Sequence, residues 1–145
     1  MVKVLIKKLD PRVKIPSYKT LGASGMDLMA FIDRPITLVS KSSFLVPTGI
    51  SVAFSKDYEI QIRPRSGLAS KNNISVLNTP GTIDSDYRGE IKVILFNHGN
   101  INFTINNGDR IAQMILTPTI KMDLEEVEDL PKTIRGKGGF GSTGK

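Results

Sequence analysis

The chain has 145 residues, of which 39% are hydrophobic, enough for one globular domain with its own core. It contains no cysteine, which excludes a disulfide framework, a thiolate zinc site and a cysteine nucleophile. The formal net charge of +6 favours anionic partners. The basic residues are scattered and do not alternate with aromatics, so the pattern argues against nucleic acid, and a compact polyphosphate fits the charge as well.

No stretch of the sequence reaches transmembrane length, and the opening segment Met1–Lys8 is too short and too charged for a signal peptide. We therefore expect a cytoplasmic protein that has no membrane partner. The single histidine, His98, lies in the turn-forming segment Asn97–Asn100, so it is interpreted as a solvated turn residue.

Short β-type runs separated by turn clusters dominate the chain. The predicted strands are Val2–Leu9, Ile36–Val39, Phe44–Phe54 with a break at Pro47–Gly49, Tyr58–Arg63, Ile74–Leu77, Glu90–Asn97, Ile101–Ile105 and Arg110–Ile120. One short helix is predicted over Ser66–Lys71, with Ser66 as its N-cap. This pattern predicts an all-β sandwich or barrel.

Two segments in the first half of the chain combine glycine with charged residues, instead of the apolar residues that are typical of strands. Gly22–Leu28 is predicted to be a tight turn that presents the carboxylate of Asp27. In Arg63–Ala69 a strand ends and a helix begins, so two arginines lie beside the first N–H groups of the helix. Free N–H donors, the helix dipole and guanidinium charge together favour an anion.

Two further segments follow in the second half. Asn78–Gly89 is predicted to be a hairpin with Pro80-Gly81 at its tip, followed by Asp84 and Asp86, either of which could act as a general base. Gly108–Met114 is a turn that leads into a strand, and Asp109 with Arg110 is predicted to be a structural pair.

The last residues, 131–145, are rich in glycine and cannot pack a core of their own. They can close over a phosphorylated ligand, because an arginine, two hydroxyls and backbone N–H groups are phosphate donors and an aromatic ring can cover a base. The preceding acidic stretch, residues 123–129, is interpreted as solvated and linker-like.

Together these segments resemble the trimeric deoxyuridine triphosphate nucleotidohydrolases (dUTPases). The five ordered motifs of that family stand here as Ala23–Leu28, Arg65–Gly67, Gly81–Gly89, Gly108–Gln113 and Arg135–Gly144. The match covers nearly the whole chain, and five motifs in order leave chance resemblance negligible.

The resemblance implies a jelly-roll-like β-barrel or sandwich that hydrolyses dUTP to dUMP and pyrophosphate, which keeps uracil out of DNA and supplies dUMP for thymidylate synthesis. It implies a homotrimer with shared active sites: one chain supplies the first, second and fourth motifs, a neighbour the third, and the remaining chain the tail. Residues 1–130 would form the single β domain, and residues 131–145 a flexible arm that closes over a neighbouring subunit's active site. The reaction is expected to need Mg²⁺, held mainly by the substrate phosphates and water and not directly by protein ligands.

The resemblance also implies a role for each matching residue. Asp84 would activate the water that attacks the α-phosphorus, and Tyr87 would pack under the deoxyribose and exclude a 2′-hydroxyl. Asp27 would support the phosphates and metal waters, while Asp86 and Arg110 would be mainly structural. The residues that recognise uracil would be Asn78, Gly81, Thr82 and Ile83. Those that bind the triphosphate would be Arg65, Ser66, Gly67 and Gln113. Those of the closing arm would be Arg135, Phe140, Gly141, Ser142 and Thr143.

Three other interpretations remain open from the sequence. A dCTP deaminase or a bifunctional relative would share the fold, although Tyr87 within Asp84–Gly89 favours the dUTPase branch. A regulatory protein that binds dUTP would keep the pocket, but no extra domain or insertion supports it. A basic nucleic-acid binder is the least favoured, because of the charge distribution.

Overall fold

The computed structural model describes residues 1–139, which fold into eleven β-strands and one short helix. The strands are β1 Leu5–Lys8, β2 Met26–Met29, β3 Ile36–Leu38, β4 Ser43–Pro47, β5 Ile50–Ala53, β6 Tyr58–Arg63, β7 Ile74–Val76, β8 Gly81–Ile83, β9 Lys92–Asn97, β10 Phe103–Ile105 and β11 Arg110–Pro118. Helix α1 spans Ser66–Asn72. This composition confirms the all-β fold class with one short helix.

The strands of the described chain pair in antiparallel fashion within four sheets. The two larger sheets have the strand orders β2-β11-β6-β8 and β4-β9-β7, and the smaller ones pair β1 with β5 and β10 with β3. Inward-facing aliphatic side chains from all four sheets form a single buried cluster. Its members include Leu28, Leu38, Val46, Ile50, Val52, Ile60, Ile62, Val93, Leu95 and Ile105. Burial of this cluster is the main force that holds the sheets together.

Most predicted strands are present, but β2 and β8 were missed. Both are only three or four residues long and contain a motif glycine or carboxylate, which the sequence analysis assigned to turns. The predicted hairpin at Asn78–Gly89 is also wrong, since β7 pairs with β9 whereas β8 pairs with β6. The segment between β7 and β8 therefore connects two different sheets.

The helix is where it was predicted, but its cap is different. Arg65 is the N-cap, with an extended backbone at φ −90° and ψ 128°, and no side chain caps the helix. Ser66 is already the first helical residue, so the prediction that Ser66 caps the helix is wrong. The Ser66 hydroxyl is therefore not used as a cap, and Ser66 is exposed.

Strand β6 determines where the candidate site residues lie. Near its C-terminal end, Arg63 pairs with Gln113 of β11, which pairs in turn with Asp27 of β2. Near its N-terminal end, Ile60 pairs with Ile83 of β8, so the next residue, Asp84, lies beside the start of β6. Tyr58 and Arg63, the two ends of β6, are about 16 Å apart, at roughly 3.3 Å for each of five residue steps.

A buried amide, Asn97, connects β9 to the loops around it. Its Nδ2 donates to the carbonyls of Leu38 at 3.1 Å and Ile101 at 2.8 Å, and its Oδ1 accepts from the Gly99 N–H at 2.9 Å. Asn97 is fully buried. Its side chain thus satisfies three backbone groups where water does not reach.

We expect Asn97→Ala to lower the free energy of unfolding by about 2 kcal/mol or more, because it leaves buried backbone groups without partners. The matched control is Asn100→Ala at an exposed position nearby, which should change stability by less than about 0.5 kcal/mol. Urea unfolding monitored by circular dichroism measures both. Equal midpoints for the two variants would contradict the assignment.

Candidate active site

The first cluster of candidate residues is a partly buried charge network at the β6 C-terminal end. The Asp27 carboxylate accepts from Arg65 Nε at 2.8 Å through Oδ1 and from Arg110 Nη1 at 3.3 Å through Oδ2. Arg65 also donates from Nη1 to the Arg110 carbonyl at 3.2 Å. The side chains of Arg65 and Asp27 are only 24% and 18% exposed. Asp27 therefore holds both guanidinium groups in place.

This network corrects one predicted pair. Arg110 was predicted to pair with Asp109, but its partner is Asp27. The Asp109 carboxylate instead accepts from the Asn106 N–H at 2.7 Å and closes the turn before β11. Antiparallel pairing of β11 with β2 places Arg110 opposite Met29, two residues along β2 from Asp27, and such a neighbour cannot be recognised from sequence spacing.

Gln113 joins the second and fourth motifs. Its Nε2 donates to the Pro64 carbonyl at 2.9 Å, one residue before Arg65. Its Oε1 lies against Gly25, where an added Cβ would approach to 2.7 Å, so a larger residue there would displace the Gln113 amide. Ser66 and Gly67 follow in the first turn of α1, both exposed, and the Gly67 Cα faces open space. Arg65, Ser66, Gly67 and Gln113 are thus next to one another, together with Asp27.

The second cluster lines a cavity of about 470 Å³ beside β8. It brings together five residues that were predicted from the sequence: Asn78, Thr82, Ile83, Asp84 and Tyr87. Four others, Leu45, Glu90, Lys92 and Ile94, line the same cavity and were not singled out. Leu45 belongs to β4, Lys92 and Ile94 belong to β9, and Glu90 lies just before β9. These segments looked like ordinary core strands, so no sequence signal pointed to them.

Short-range contacts fix the shape of this cavity. The Asn78 amide packs over Gly81, where an added Cβ would lie 3.1 Å from Nδ2. The Tyr87 hydroxyl donates to the Glu90 carbonyl at 3.0 Å, and a Cβ at Gly89 would collide with that hydroxyl. The Tyr87 N–H donates to the Asp84 carbonyl at 3.1 Å. Gly81 and Gly89 therefore let two side chains lie directly against the backbone.

Asp84 is exposed at the edge of this cavity and also lines a second one of about 260 Å³. The second cavity includes Glu59, Asp86 and Lys121. Solvent can reach the Asp84 carboxylate, so water can occupy its lone pairs. Within residues 1–139, no group of three His, Cys, Asp or Glu side chains is arranged to hold a metal ion.

The two clusters do not meet within one chain, because they lie at opposite ends of β6. The C-terminal segment does not connect them within the described residues. Arg135 is exposed and donates from Nε to the Gly138 carbonyl at 2.8 Å in a local turn. The other predicted arm residues, Phe140, Gly141, Ser142 and Thr143, lie outside the described residues.

His98 is exposed, as predicted, but its ring is not isolated. Its Nε2 is 2.7 Å from the Ser75 hydroxyl, and its ring lies 4.5 Å from that of Phe96. In the part of the chain that the structure describes, no helix is long and apolar enough to span a membrane.

Comparison with known proteins identifies the family of this chain. The family model described as dUTPase matches residues 11–144. A deoxyuridine 5′-triphosphate nucleotidohydrolase of Fusobacterium nucleatum is 51% identical over 146 residues and is covered completely, as is this chain. The chain belongs to the dUTPase family, which confirms the resemblance seen in its five motifs.

Solved structures show the same fold. A dUTPase of Staphylococcus bacteriophage 80alpha, solved with dUpNHpp, superposes with a TM-score of 0.87 at 21% identity and 99% coverage of both chains. A dUTPase from phage phi11 of S. aureus, described with a structural Mg(II) ion, has a TM-score of 0.80 at 18% identity, with 90% and 99% coverage. These similarities establish the jelly-roll-like architecture for this chain.

We expect Asp27→Ala to lower the free energy of unfolding by about 1 to 2 kcal/mol, because it leaves the half-buried Arg65 guanidinium without its carboxylate. The matched control is Asp33→Ala. The Asp33 side chain is 91% exposed, so its removal should change the free energy of unfolding by less than about 0.5 kcal/mol. Chemical denaturation measures both. An Asp27 variant as stable as the control would show that the network does not stabilise the fold.

Proposed function

We propose that this protein hydrolyses dUTP to dUMP and pyrophosphate. The single observation that carries the proposal is the cavity beside β8, where Asn78, Asp84 and Tyr87 lie together in a member of the dUTPase family. Selective attack on a deoxynucleotide requires groups that recognise the base, a surface that packs against the sugar, and a carboxylate that can activate water.

Asn78 and the backbone of β8 would read the base. Uracil presents acceptor, donor and acceptor along its pairing edge, whereas cytosine presents donor, acceptor and acceptor. If the Asn78 amide and the β8 backbone are arranged to pair with uracil, cytosine leaves some of their polar groups unpaired. This would weaken binding of cytosine relative to uracil by several kcal/mol. The tight packing of Asn78 over Gly81 supports a narrow reader that has no room for the methyl group of thymine.

Tyr87 would select the sugar. Its hydroxyl is held by the Glu90 carbonyl, so the ring occupies a defined position at the cavity wall. A deoxyribose packed against that ring would leave no space for a 2′-hydroxyl, and UTP would be excluded by steric contact.

The Arg65 cluster would bind the triphosphate of a substrate whose base sits in a neighbouring chain's cavity. Ser66, Gly67 and Gln113 lie beside Arg65, and the first N–H groups of α1 have no partner within the helix. The separation of this cluster from Asp84 along β6 supports a homotrimer in which each site takes the cradle from one chain and Asp84 from another. The glycine-rich arm, residues 131–145, would close each site through Arg135, Phe140, Ser142 and Thr143.

Mg²⁺ would enter with the nucleotide. Asp27 is the only carboxylate in the Arg65 cluster, and it contacts two arginines. Its oxygens retain further lone pairs, which could accept hydrogen bonds from waters bound to the metal. The described residues therefore fit a metal ion that is held mainly by water and phosphate. When bound, the ion would neutralise negative charge on the phosphates.

Since nucleoside triphosphates are intracellular metabolites, we also propose a cytoplasmic location.

Asp84 would orient and deprotonate the water that attacks the α-phosphorus. Asp84→Asn keeps the shape of the side chain and removes the base, so we expect a loss of kcat of two to four orders of magnitude, roughly, with little change in dUTP binding. Pyrophosphate release and calorimetric titration with a non-hydrolysable dUTP analogue measure the two quantities. Asp86→Asn, at the exposed carboxylate two residues on, is the matched control and should keep most of the activity.

Loss of analogue binding with normal turnover in Asp84→Asn would contradict the role of Asp84. Loss of activity in Asp86→Asn, but not in Asp84→Asn, would show that Asp86 and not Asp84 is the general base.

Shared sites can be tested by mixing variants. Asp84→Asn and Arg65→Ala should each be nearly inactive alone, whereas subunits unfolded and refolded together should regain activity, because some sites combine an intact cradle with an intact Asp84 from another chain. Pyrophosphate release measures the recovery, and each variant refolded alone is the control. No recovery in mixtures that form trimers by light scattering would contradict the shared site.

A further inference from the structure

The turn between β4 and β5, Pro47–Ile50, is bound to the segment that follows Tyr87 by three hydrogen bonds. The Gly49 N–H donates to Glu90 Oε1 at 2.8 Å. The buried Thr48 hydroxyl donates to the Ile91 carbonyl at 2.5 Å, and the Ile91 N–H donates to the Ile50 carbonyl at 2.9 Å. The β4–β5 turn lies outside all five family motifs.

This turn is itself tightly constrained. Gly49 has φ +70°, and an added Cβ would lie 2.5 Å from Val13 and 3.0 Å from Phe31, so no other residue fits. Its carbonyl accepts from the Leu9 N–H at 2.8 Å. Thr48, Gly49 and Ile91 are all buried. The turn is therefore a rigid support, and not a surface loop that adapts to its neighbours.

Glu90 connects this support to the cavity beside β8. Its carboxylate, 21% exposed, accepts from the Gly49 N–H through Oε1 and lies 3.6 Å from Lys92 Nζ through Oε2. Its backbone carbonyl accepts from the Tyr87 hydroxyl at 3.0 Å. One residue thus contacts the turn through its side chain and the tyrosine through its backbone.

We propose that Glu90 is a positioning residue for sugar discrimination, which holds the Tyr87 ring in place by tying the segment after it to the β4–β5 turn. The inference rests on the proposed function, in which Tyr87 packs against the deoxyribose. A 2′-hydroxyl is a single extra oxygen, so a ring displaced by about 1 Å makes room for it. Base reading by Asn78 does not depend on this connection, so dUTP turnover falls less than selectivity does.

The experiment compares kcat/KM for dUTP and UTP, with Mg²⁺, in the full-length wild type, Glu90→Ala and Glu90→Gln. Glu90→Ala removes the acceptor for the Gly49 N–H and should lower the dUTP-to-UTP ratio roughly tenfold. Glu90→Gln keeps an oxygen acceptor and should keep the ratio within about twofold. Glu125→Ala, the same change at an exposed glutamate, is the matched control and should match the wild type.

Tyr87→Phe breaks the same connection without changing Glu90 and should lower the ratio to a similar degree. The double variant Tyr87→Phe with Glu90→Ala should lose no more selectivity than either single variant, because both act on one connection. Losses that multiply in the double variant would overturn the proposal, since they would show independent effects.

An unchanged ratio in Tyr87→Phe overturns the proposal even if Glu90→Ala does not fold. An unchanged ratio in a folded Glu90→Ala does the same and leaves the proposed function intact. A wild type that releases no pyrophosphate from dUTP refutes the proposed function itself, and the positioning role of Glu90 with it.

Discussion

The antiparallel register of β6 with its two neighbours is the constraint on which the rest of the site depends. Pairing with β11 brings Gln113 and Asp27 to one end of β6, and pairing with β8 leaves Asp84 at the other. A shift by one residue would turn Ile60 and Ile62 out of the core, so burial locks this register. The separation between arginine cradle and carboxylate is thus a consequence of core packing. The proposed site uses both, and we therefore infer that it is assembled from more than one chain.

Close contacts between side chains and glycines complete each half of the site. Gln113 lies against Gly25, Asn78 against Gly81 and the Tyr87 hydroxyl against Gly89. In each pair the glycine belongs to a family motif and makes space for a polar side chain. The motifs therefore combine residues that we propose contact a ligand with glycines that leave space for those residues. This explains why the motif segments looked like turns, although β2 and β8 run through two of them.

Sequence reasoning predicted the fold class, most of the strands, the residues of the Arg65 cluster and five of the nine residues that line the cavity beside β8. It could not predict which partner a charged residue takes, as the pairing of Arg110 with Asp27 shows, because strand register brings together residues 83 positions apart. It missed Glu90 and Lys92, because both lie in the predicted strand Glu90–Asn97, which looked like any half-buried strand. It assigned the N-cap to Ser66 by residue type, whereas the extended conformation of Arg65 after Pro64 decides where the helix begins. The roles of all the candidate site residues, those of Arg135 and residues 140–143 included, stay predictions.

We propose that the cavity beside β8 selects a uracil base and a deoxyribose sugar for hydrolysis at the α-phosphorus. The most direct measurement is pyrophosphate release by the wild type with Mg²⁺ and, in turn, dUTP, dCTP, dTTP and UTP, with ammonia release followed in the dCTP reaction. We expect pyrophosphate from dUTP and little or none from the other three nucleotides. Comparable release from several nucleotides, or ammonia from dCTP without pyrophosphate from dUTP, would contradict it.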